Sequence, residues 1–137
     1  MAESVKVREE ILDQMVAHAR REEQIECCGL LAGRAGVITA IFPATNSLSS
    51  ATAYEIAPPE LFELFRTLRD RELTHLGQYH SHLSTENAPS PTDIEQAGYP
   101  DQAYFIILPS AGALKPVRAF SIRDASVREL EIISSAP

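Results

Sequence analysis

Two histidines and a carboxylate stand close together in one polar stretch of the sequence. His80 and His82 are separated by one residue, and Asp93 follows eleven residues after His82. If one strand runs through both histidines, its period of two places the imidazoles on one face, roughly 6–7 Å apart at Cα. Neutral imidazole is a favoured zinc ligand, so the pair is a candidate metal site. The alternative is two partly exposed histidines at the mouth of a strand.

Asp93 lies in a segment that is typical of a helix start. Ser90 would be the N-cap, Pro91 the first helical residue and Asp93 the third, so a capping pair explains Ser90 and Asp93 without any chemistry. The two interpretations are compatible, because a helix N-terminus also favours the ionised carboxylate that a ligand requires. His80, His82 and Asp93 would supply three ligands and leave a fourth tetrahedral position for water, as in catalytic zinc sites.

A metal-activated water needs a nearby group that accepts its proton and passes it to the leaving amine. Glu26 directly precedes an apolar stretch, and such surroundings favour the protonated form of a carboxyl group. Position alone does not distinguish Glu26 from Glu22 and Glu23 in the same charged segment. Cys28 lies within the apolar stretch, which favours a packed thiol over a nucleophile.

The elements that must position these residues follow from hydrophobic periodicity. The pattern predicts the order β-α-β-β-α-β-α-β-β-β, which favours one mixed sheet with helices on its faces. The predicted strands cover about 5–7, 27–33, 37–42, 76–80, 103–108, 117–122 and 127–133, and the predicted helices about 8–21, 58–72 and 91–97. Residues 54–56 could form a further short strand. Phe62 and Phe65 are expected in the core through the second helix, whereas His18 and His75 are expected to be incidental.

Composition limits the class of protein. The chain has 137 residues, 45% hydrophobic and 23% charged, which predicts one globular domain over 1–137. A net charge of −7 without a basic cluster argues against binding nucleic acid or anionic membranes. No apolar run approaches the roughly 18 residues of a membrane span, and the charged N-terminus lacks the apolar core of a signal peptide. Adjacent Cys27 and Cys28 are expected to be free thiols, which favours the cytoplasm.

These motifs together resemble the JAMM (MPN-plus) metallopeptidase family. The resemblance rests on Glu26 with the Cys27–Gly33 stretch, on His80-Ser81-His82, and on Ser90 and Asp93, which follow the pattern Glu, His-x-His, Ser-x-x-Asp. The resemblance also includes residues Gly77–Tyr79, which precede the histidines, and the loop that contains Asn46. Asn46 is expected to order that loop. The resemblance extends to about Leu108. The resemblance implies a three-layer α/β/α, cytidine-deaminase-like fold and a zinc-dependent hydrolase of amide or isopeptide bonds.

Transferred residue by residue, the resemblance implies that His80, His82 and Asp93 bind one Zn²⁺. Glu26 resembles the general acid/base, and Ser90 resembles the hydroxyl that stabilises the tetrahedral oxyanion. Leu83 departs from the pattern, because many members have proline after the second histidine. The chain has no room for the long insertions of members dedicated to ubiquitin chains, so it resembles the compact prokaryotic branch.

That branch implies as partner the C-terminal tail of a ubiquitin-like or sulfur-carrier protein, cleaved after a terminal glycine pair. The leaving group stays open between lysine, cysteine and a peptide extension. An exposed edge strand would also permit a homodimer. Two other classes compete: a non-catalytic scaffold of the same fold, and a zinc deaminase. Deaminases of that type use Cys-x-x-Cys spacing, which the adjacent Cys27 and Cys28 do not supply.

Overall fold

The computed structural model describes residues 3–136, and its ten elements follow the order that the sequence predicts. They are β1 (Ser4–Arg8), α1 (Glu9–Arg21), β2 (Cys28–Arg34), β3 (Val37–Ala44), α2 (Pro58–Asp70), β4 (Thr74–Ser81), α3 (Pro91–Gln96), β5 (Ala103–Ile107), β6 (Val117–Arg123) and β7 (Ser126–Ser135). The additional strand at 54–56 is wrong, because these residues are irregular.

The seven strands form one mixed sheet that closes on itself. Their order is β1-β3-β2-β4-β5-β6-β7, and β1 pairs with both β3 and β7. The mixed α/β architecture is confirmed, but the sheet is a barrel rather than the open central layer that a three-layer fold implies. Closure rests on a short parallel contact between β1 and β3, Lys6 with Val37 and Val7 with Ile38. Sheet twist brings the outer strands round to each other in this way.

Helices cover both faces of the sheet. On the inner face, Met15 of α1 packs in the main core with Leu31 and Phe105. On the outer face, Leu68 of α2 packs with Leu30, and Ile94 of α3 packs against the neighbouring cluster of β5 and β6. The long helices α1 and α2 therefore each pack one apolar stripe against the sheet, as the amphipathic patterns predict, whereas α3 contributes only the half-buried Ile94.

Phe62 does not join this core. It is 66% exposed, so its predicted burial is wrong, whereas Phe65 packs against the α2 cluster. The buried stripe of α2 consists of Leu61, Leu64, Phe65 and Leu68. Successive helical residues are about 100° apart, and Phe62 therefore falls outside that stripe.

The register of β2 against β4 positions the polar stretch. The two strands are antiparallel, and Cys28 lies opposite His80. Because side chains alternate along a strand, His80 faces outward while Tyr79 and Ser81 face the α1 side. β4 ends at Ser81, so the strand does not run through His82. The backbone N–H of His82 nevertheless donates to Ile107 C=O at 2.9 Å, which continues the contact with β5.

Closure of the sheet removes the argument for a homodimer. That argument required a strand exposed along its whole edge; β1 is paired on both sides by β3 and β7, and among the described residues β3 lacks a strand partner on one side only beyond Ile38. A homodimer is therefore not proposed. Within residues 3–136, no helix is both long enough and apolar enough to cross a membrane.

Gly29 is required by the close packing of Tyr79. A Cβ at this position would lie 2.5 Å from Tyr79 Cε1 and 2.6 Å from Phe42 O. We expect Gly29→Ala to lower the free energy of unfolding by about 1–3 kcal/mol through overpacking, measured by urea denaturation. Gly98→Ala is the control, since a Cβ at that position would have nothing within 4 Å. Equal stability of the two variants would contradict the tight contact.

Candidate metal centre

Three side chains converge at the outer end of β4. His80 Nε2 lies 3.2 Å from His82 Nε2 and 3.2 Å from Asp93 Oδ1, and His82 Nε2 lies 3.0 Å from Asp93 Oδ2. His80 lies in β4, His82 directly follows the end of that strand, and Asp93 lies in the first turn of α3. The donor atoms all lie within 4.8 Å of one another, and the group could hold a metal ion.

Both imidazoles are held in orientations that direct Nε2 into this cluster. The Nδ1–H of His82 donates to Glu86 C=O at 3.0 Å, which directs Nε2 towards Asp93 and would leave Nε2 free to bind a metal once its proton is lost. The His80 ring stacks on Tyr54 with ring centroids 4.5 Å apart. Burial lowers the pKa of His80, although Asp93 partly opposes this, and the neutral form is the one that binds metals.

The capping interpretation and the cluster occur together at Asp93. Ser90 N–H donates to Asp93 Oδ2 at 2.9 Å, and Asp93 N–H donates to Ser90 Oγ at 3.1 Å, which completes the predicted capping box. Burial alone would raise the pKa of Asp93. Hydrogen bonds from both histidines and from Ser90 outweigh burial and hold this pKa well below its usual range. Asp93 is therefore an ionised carboxylate fixed by the backbone.

Glu26 is a buried carboxyl group under the electrostatic influence of this cluster. It is 4% exposed, and its Oε1 has no hydrogen-bond partner within the part of the chain that the structure describes. Burial raises the pKa of Glu26 to about 7; His82 lowers this pKa by a smaller amount, and the Asp93 charge raises it. The expected effect of apolar surroundings is confirmed. Glu22 instead pairs with His18 at 2.6 Å, and Glu23 is exposed, so burial distinguishes Glu26 from both.

Asn46 connects Glu26 to the adjacent loop. It is 2% exposed, and its Nδ2 donates to Glu26 C=O at 3.0 Å and to Ala53 C=O at 2.9 Å. Its Oδ1 accepts from Leu48 N–H at 3.0 Å and from Glu55 N–H at 3.3 Å. These bonds span both ends of the segment 46–55, so the prediction that Asn46 orders this loop is confirmed.

Tyr54 is a neighbour of the cluster that sequence reasoning missed. Besides stacking on His80, it lines a cavity of about 160 Å³ together with Asp93, Gln96 and Tyr104. The cavity lies on the outer face of the sheet. A single tyrosine in a loop carries no pattern, and no signal in the sequence could have identified it.

The remaining histidines and cysteines lie outside this cluster. His18 is buried on the inner face, where its Nδ1 is 2.7 Å from Tyr79 Oη, and the ring of His75 packs edge-on against Phe65. Cys27 and Cys28 are buried, and burial raises their pKa values to about 11 and about 12. Thiols with such pKa values are protonated at neutral pH, which agrees with packing rather than nucleophilic roles.

Known proteins resemble this chain over most of its length. The family model for prokaryotic homologues of the JAB domain matches residues 8–123. A CysO-cysteine peptidase of Mycobacterium tuberculosis is 34% identical over 125 residues, covering 90% of this chain and 86% of that protein. A desampylase of Haloferax volcanii is 34% identical over 104 residues, covering 71% of this chain and 75% of that protein.

The likeness extends to solved structures. The solution structure of a protein from Desulfitobacterium hafniense superposes with a TM-score of 0.87 at 28% identity, covering 97% of this chain and 94% of that one. The match thus spans nearly the whole chain. Because the family model and these relatives match most of its length, the chain belongs to the family of prokaryotic homologues of the JAB domain and is an enzyme of the JAMM hydrolase type.

Proposed function

We propose that this chain is a zinc-dependent metallopeptidase that hydrolyses an amide or isopeptide bond after the C-terminal Gly-Gly of a ubiquitin-like or sulfur-carrier protein. One observation carries the proposal: His80, His82 and Asp93 converge near a buried Glu26 carboxyl whose pKa is about 7. The relative named as a CysO-cysteine peptidase supports a carrier protein as substrate class.

The donor set suits zinc. A tetrahedral zinc with bonds of about 2.0–2.1 Å places neighbouring donor atoms about 3.3 Å apart. Here His80 Nε2 and His82 Nε2 are 3.2 Å apart, and Asp93 approaches His80 with Oδ1 at 3.2 Å and His82 with Oδ2 at 3.0 Å. Two imidazoles and one carboxylate leave a fourth position, which is the difference between a catalytic and a closed structural zinc site.

When bound by these residues, zinc would supply Lewis acidity, which polarises the scissile carbonyl and lowers the pKa of water. Glu26 would accept the proton of the attacking water and return it to the leaving amine, a task that a pKa near 7 suits. Ser90 Oγ accepts from Asp93 N–H, and a hydroxyl in that state still has its own proton to donate. We assign that proton to the carbonyl oxygen as it gains negative charge.

The tail of the carrier would bind in extended form. An extended peptide can add backbone hydrogen bonds along an open strand edge. Within residues 3–136, β3 pairs with β1 only at Val37 and Ile38. The rest of that edge continues to Ala44, which lies opposite Cys28 and therefore near the strand ends that carry the cluster. We expect the tail to follow this part of β3.

Cleavage of carrier fusions tests the reaction. A small ubiquitin-like carrier ending in Gly-Gly, extended by cysteine, by a peptide or by a lysine-linked protein, is incubated with zinc-loaded enzyme. We expect cleavage after Gly-Gly, and we expect Glu26→Gln to lower kcat by about 10²-fold or more because the proton acceptor is lost. Glu23→Gln is the control, since Glu23 is an exposed carboxyl in the same segment. Activity that survives both chelation and Glu26→Gln would refute this mechanism.

Zinc binding tests the ligand set separately from activity. Asp93→Asn retains an oxygen that can accept from Ser90 N–H, so α3 keeps its cap while the ligand loses its charge. We expect one zinc per wild-type chain and binding at least about tenfold weaker in Asp93→Asn, measured by competition with a chelating dye. Glu95→Gln changes an exposed carboxyl of the same helix and is expected to bind zinc normally. Equal affinity of all three proteins would remove Asp93 from the ligand set.

The pH dependence of stability tests the burial of Glu26 in metal-free protein. Its folded-state pKa of about 7 lies above its ordinary value of 4.5, so between these pH values the folded state holds a proton that the unfolded state has lost. The contribution of Glu26 to stability therefore falls as the pH rises from about 4.5 through about 7.

The glutamine side chain of Glu26→Gln is neutral at every pH, so the variant does not lose stability in this way as the pH rises. The free energy of unfolding of the variant minus that of the wild type is expected to rise with pH by at most about 3 kcal/mol and to level off above the folded-state pKa. Urea denaturation from pH 5 to pH 8 in the presence of chelator measures this difference. A difference that does not change with pH would mean that Glu26 titrates normally.

A further inference from the structure

The Glu26 carboxyl must be positioned through its backbone. Its Oε1 is buried without a hydrogen-bond partner among residues 3–136, so no contact of that oxygen fixes its orientation. Glu26 N–H donates to Ser50 C=O at 2.9 Å, and Glu26 C=O accepts from Asn46 Nδ2 at 3.0 Å. Both partners belong to the loop after β3. These two bonds therefore do not set the position of Glu26 relative to β4, which carries His80.

The connection to β4 is made by Ser81, the residue between the two histidines. Ser81 N–H donates to Cys27 C=O at 3.0 Å, and Cys27 N–H donates to Ser81 Oγ at 2.8 Å. Ser81 is fully buried. Two hydrogen bonds thus join Cys27, which follows Glu26, to Ser81, which lies between the two candidate histidine ligands.

The second of these bonds departs from ordinary strand pairing. Cys28 lies opposite His80, so Cys27 lies opposite Ser81. An antiparallel pair of this kind normally exchanges two backbone N–H···O=C bonds. Here the Ser81 hydroxyl, rather than the Ser81 carbonyl, accepts the hydrogen bond from Cys27 N–H. The two segments of the chain can therefore separate beyond this pair. Glu26 then turns towards Ser50, while His82 N–H reaches Ile107 C=O at 2.9 Å.

We propose that Ser81 is a positioning residue of the reaction, whose buried hydroxyl sets the place of Glu26 relative to His80 and His82. This inference rests on the proposed function. Without the hydroxyl, Cys27 N–H either stays unpaired or pairs with the Ser81 carbonyl, and either change moves the backbone of Glu26. A displacement of about 1 Å in a reacting group can lower a rate by about 10²-fold.

Kinetics of zinc-loaded variants test the role. We expect Ser81→Ala to lower kcat by about 10- to 100-fold while KM stays within about threefold and zinc per chain is unchanged. Ser81→Thr keeps the hydroxyl and is expected to retain most of kcat. Ser121→Ala in β6 is the matched control, and its kcat is expected to stay within about twofold of wild type. Thermal unfolding of each variant checks that it is folded.

A second measurement is independent of activity. In metal-free protein, hydrogen exchange of the Cys27 amide, followed by NMR, is expected to accelerate at least about tenfold in Ser81→Ala. The Leu31 amide, in the middle of β2, is expected to exchange as in wild type.

In Ser81→Ala, wild-type kcat with a wild-type Cys27 amide would overturn the inference, and so would loss of zinc together with kcat. An equal loss of kcat in folded Ser81→Thr would also overturn it. If the wild-type enzyme cleaves none of the fusions, the proposed function fails, and the exchange data still decide whether the hydroxyl holds Cys27.

Discussion

Antiparallel pairing of β2 with β4 is the contact on which the candidate site depends. It places Cys28 opposite His80 and so brings Glu26, just before β2, to the end of the strand that carries the histidines. Side chains alternate between faces with a period of two, and a slip of one residue would turn His80 towards α1. The register is fixed on the inner face, where Gly29 leaves room for Tyr79 and a larger side chain would collide with its ring.

The two faces of β4 have different roles: the outer face carries a residue of the candidate site, and the inner face packs against α1. The outer face carries His80, which stacks on Tyr54 and approaches Asp93. The inner face carries Tyr79, whose hydroxyl lies 2.7 Å from His18 Nδ1 and ties the strand to α1. Because these contacts lie on the inner face, they hold the strand without using the face that carries the candidate cluster. The packed inner face thus supports the outer face that carries the candidate cluster.

The sequence predicted the features that depend on local patterns. Element order follows from periodicity, and the cap at Ser90 and Asp93 from residues three apart. Closure of the barrel was missed because it depends on a short pairing of β1 with β3, residues about thirty positions apart, which periodicity does not report. Phe62 was misplaced because apolar character alone was taken for burial, although it lies outside the stripe of α2.

The candidate site divides in the same way. The spacing of His80, His82 and Asp93 suggested a cluster, and the structure brings their donor atoms together. Glu26 could not be separated from Glu22 and Glu23 by position, since the distinction lies in burial by the surrounding fold. The roles of these residues as ligands and acid/base stay predictions. Tyr54 has no pattern, and its contact with His80 arises only when a loop folds over the sheet.

The bonds at the start of α3 have an entropic consequence. A helix of six residues has few internal bonds of its own, and its first turn is held by the reciprocal contacts of Ser90 and Asp93. The rotamer of Asp93 is therefore already restricted when the chain has folded. An ion that binds this carboxylate would not have to immobilise it. The entropy cost of ordering the side chain belongs to folding rather than to ion binding. Affinity for a cation is in this sense partly a property of helix capping.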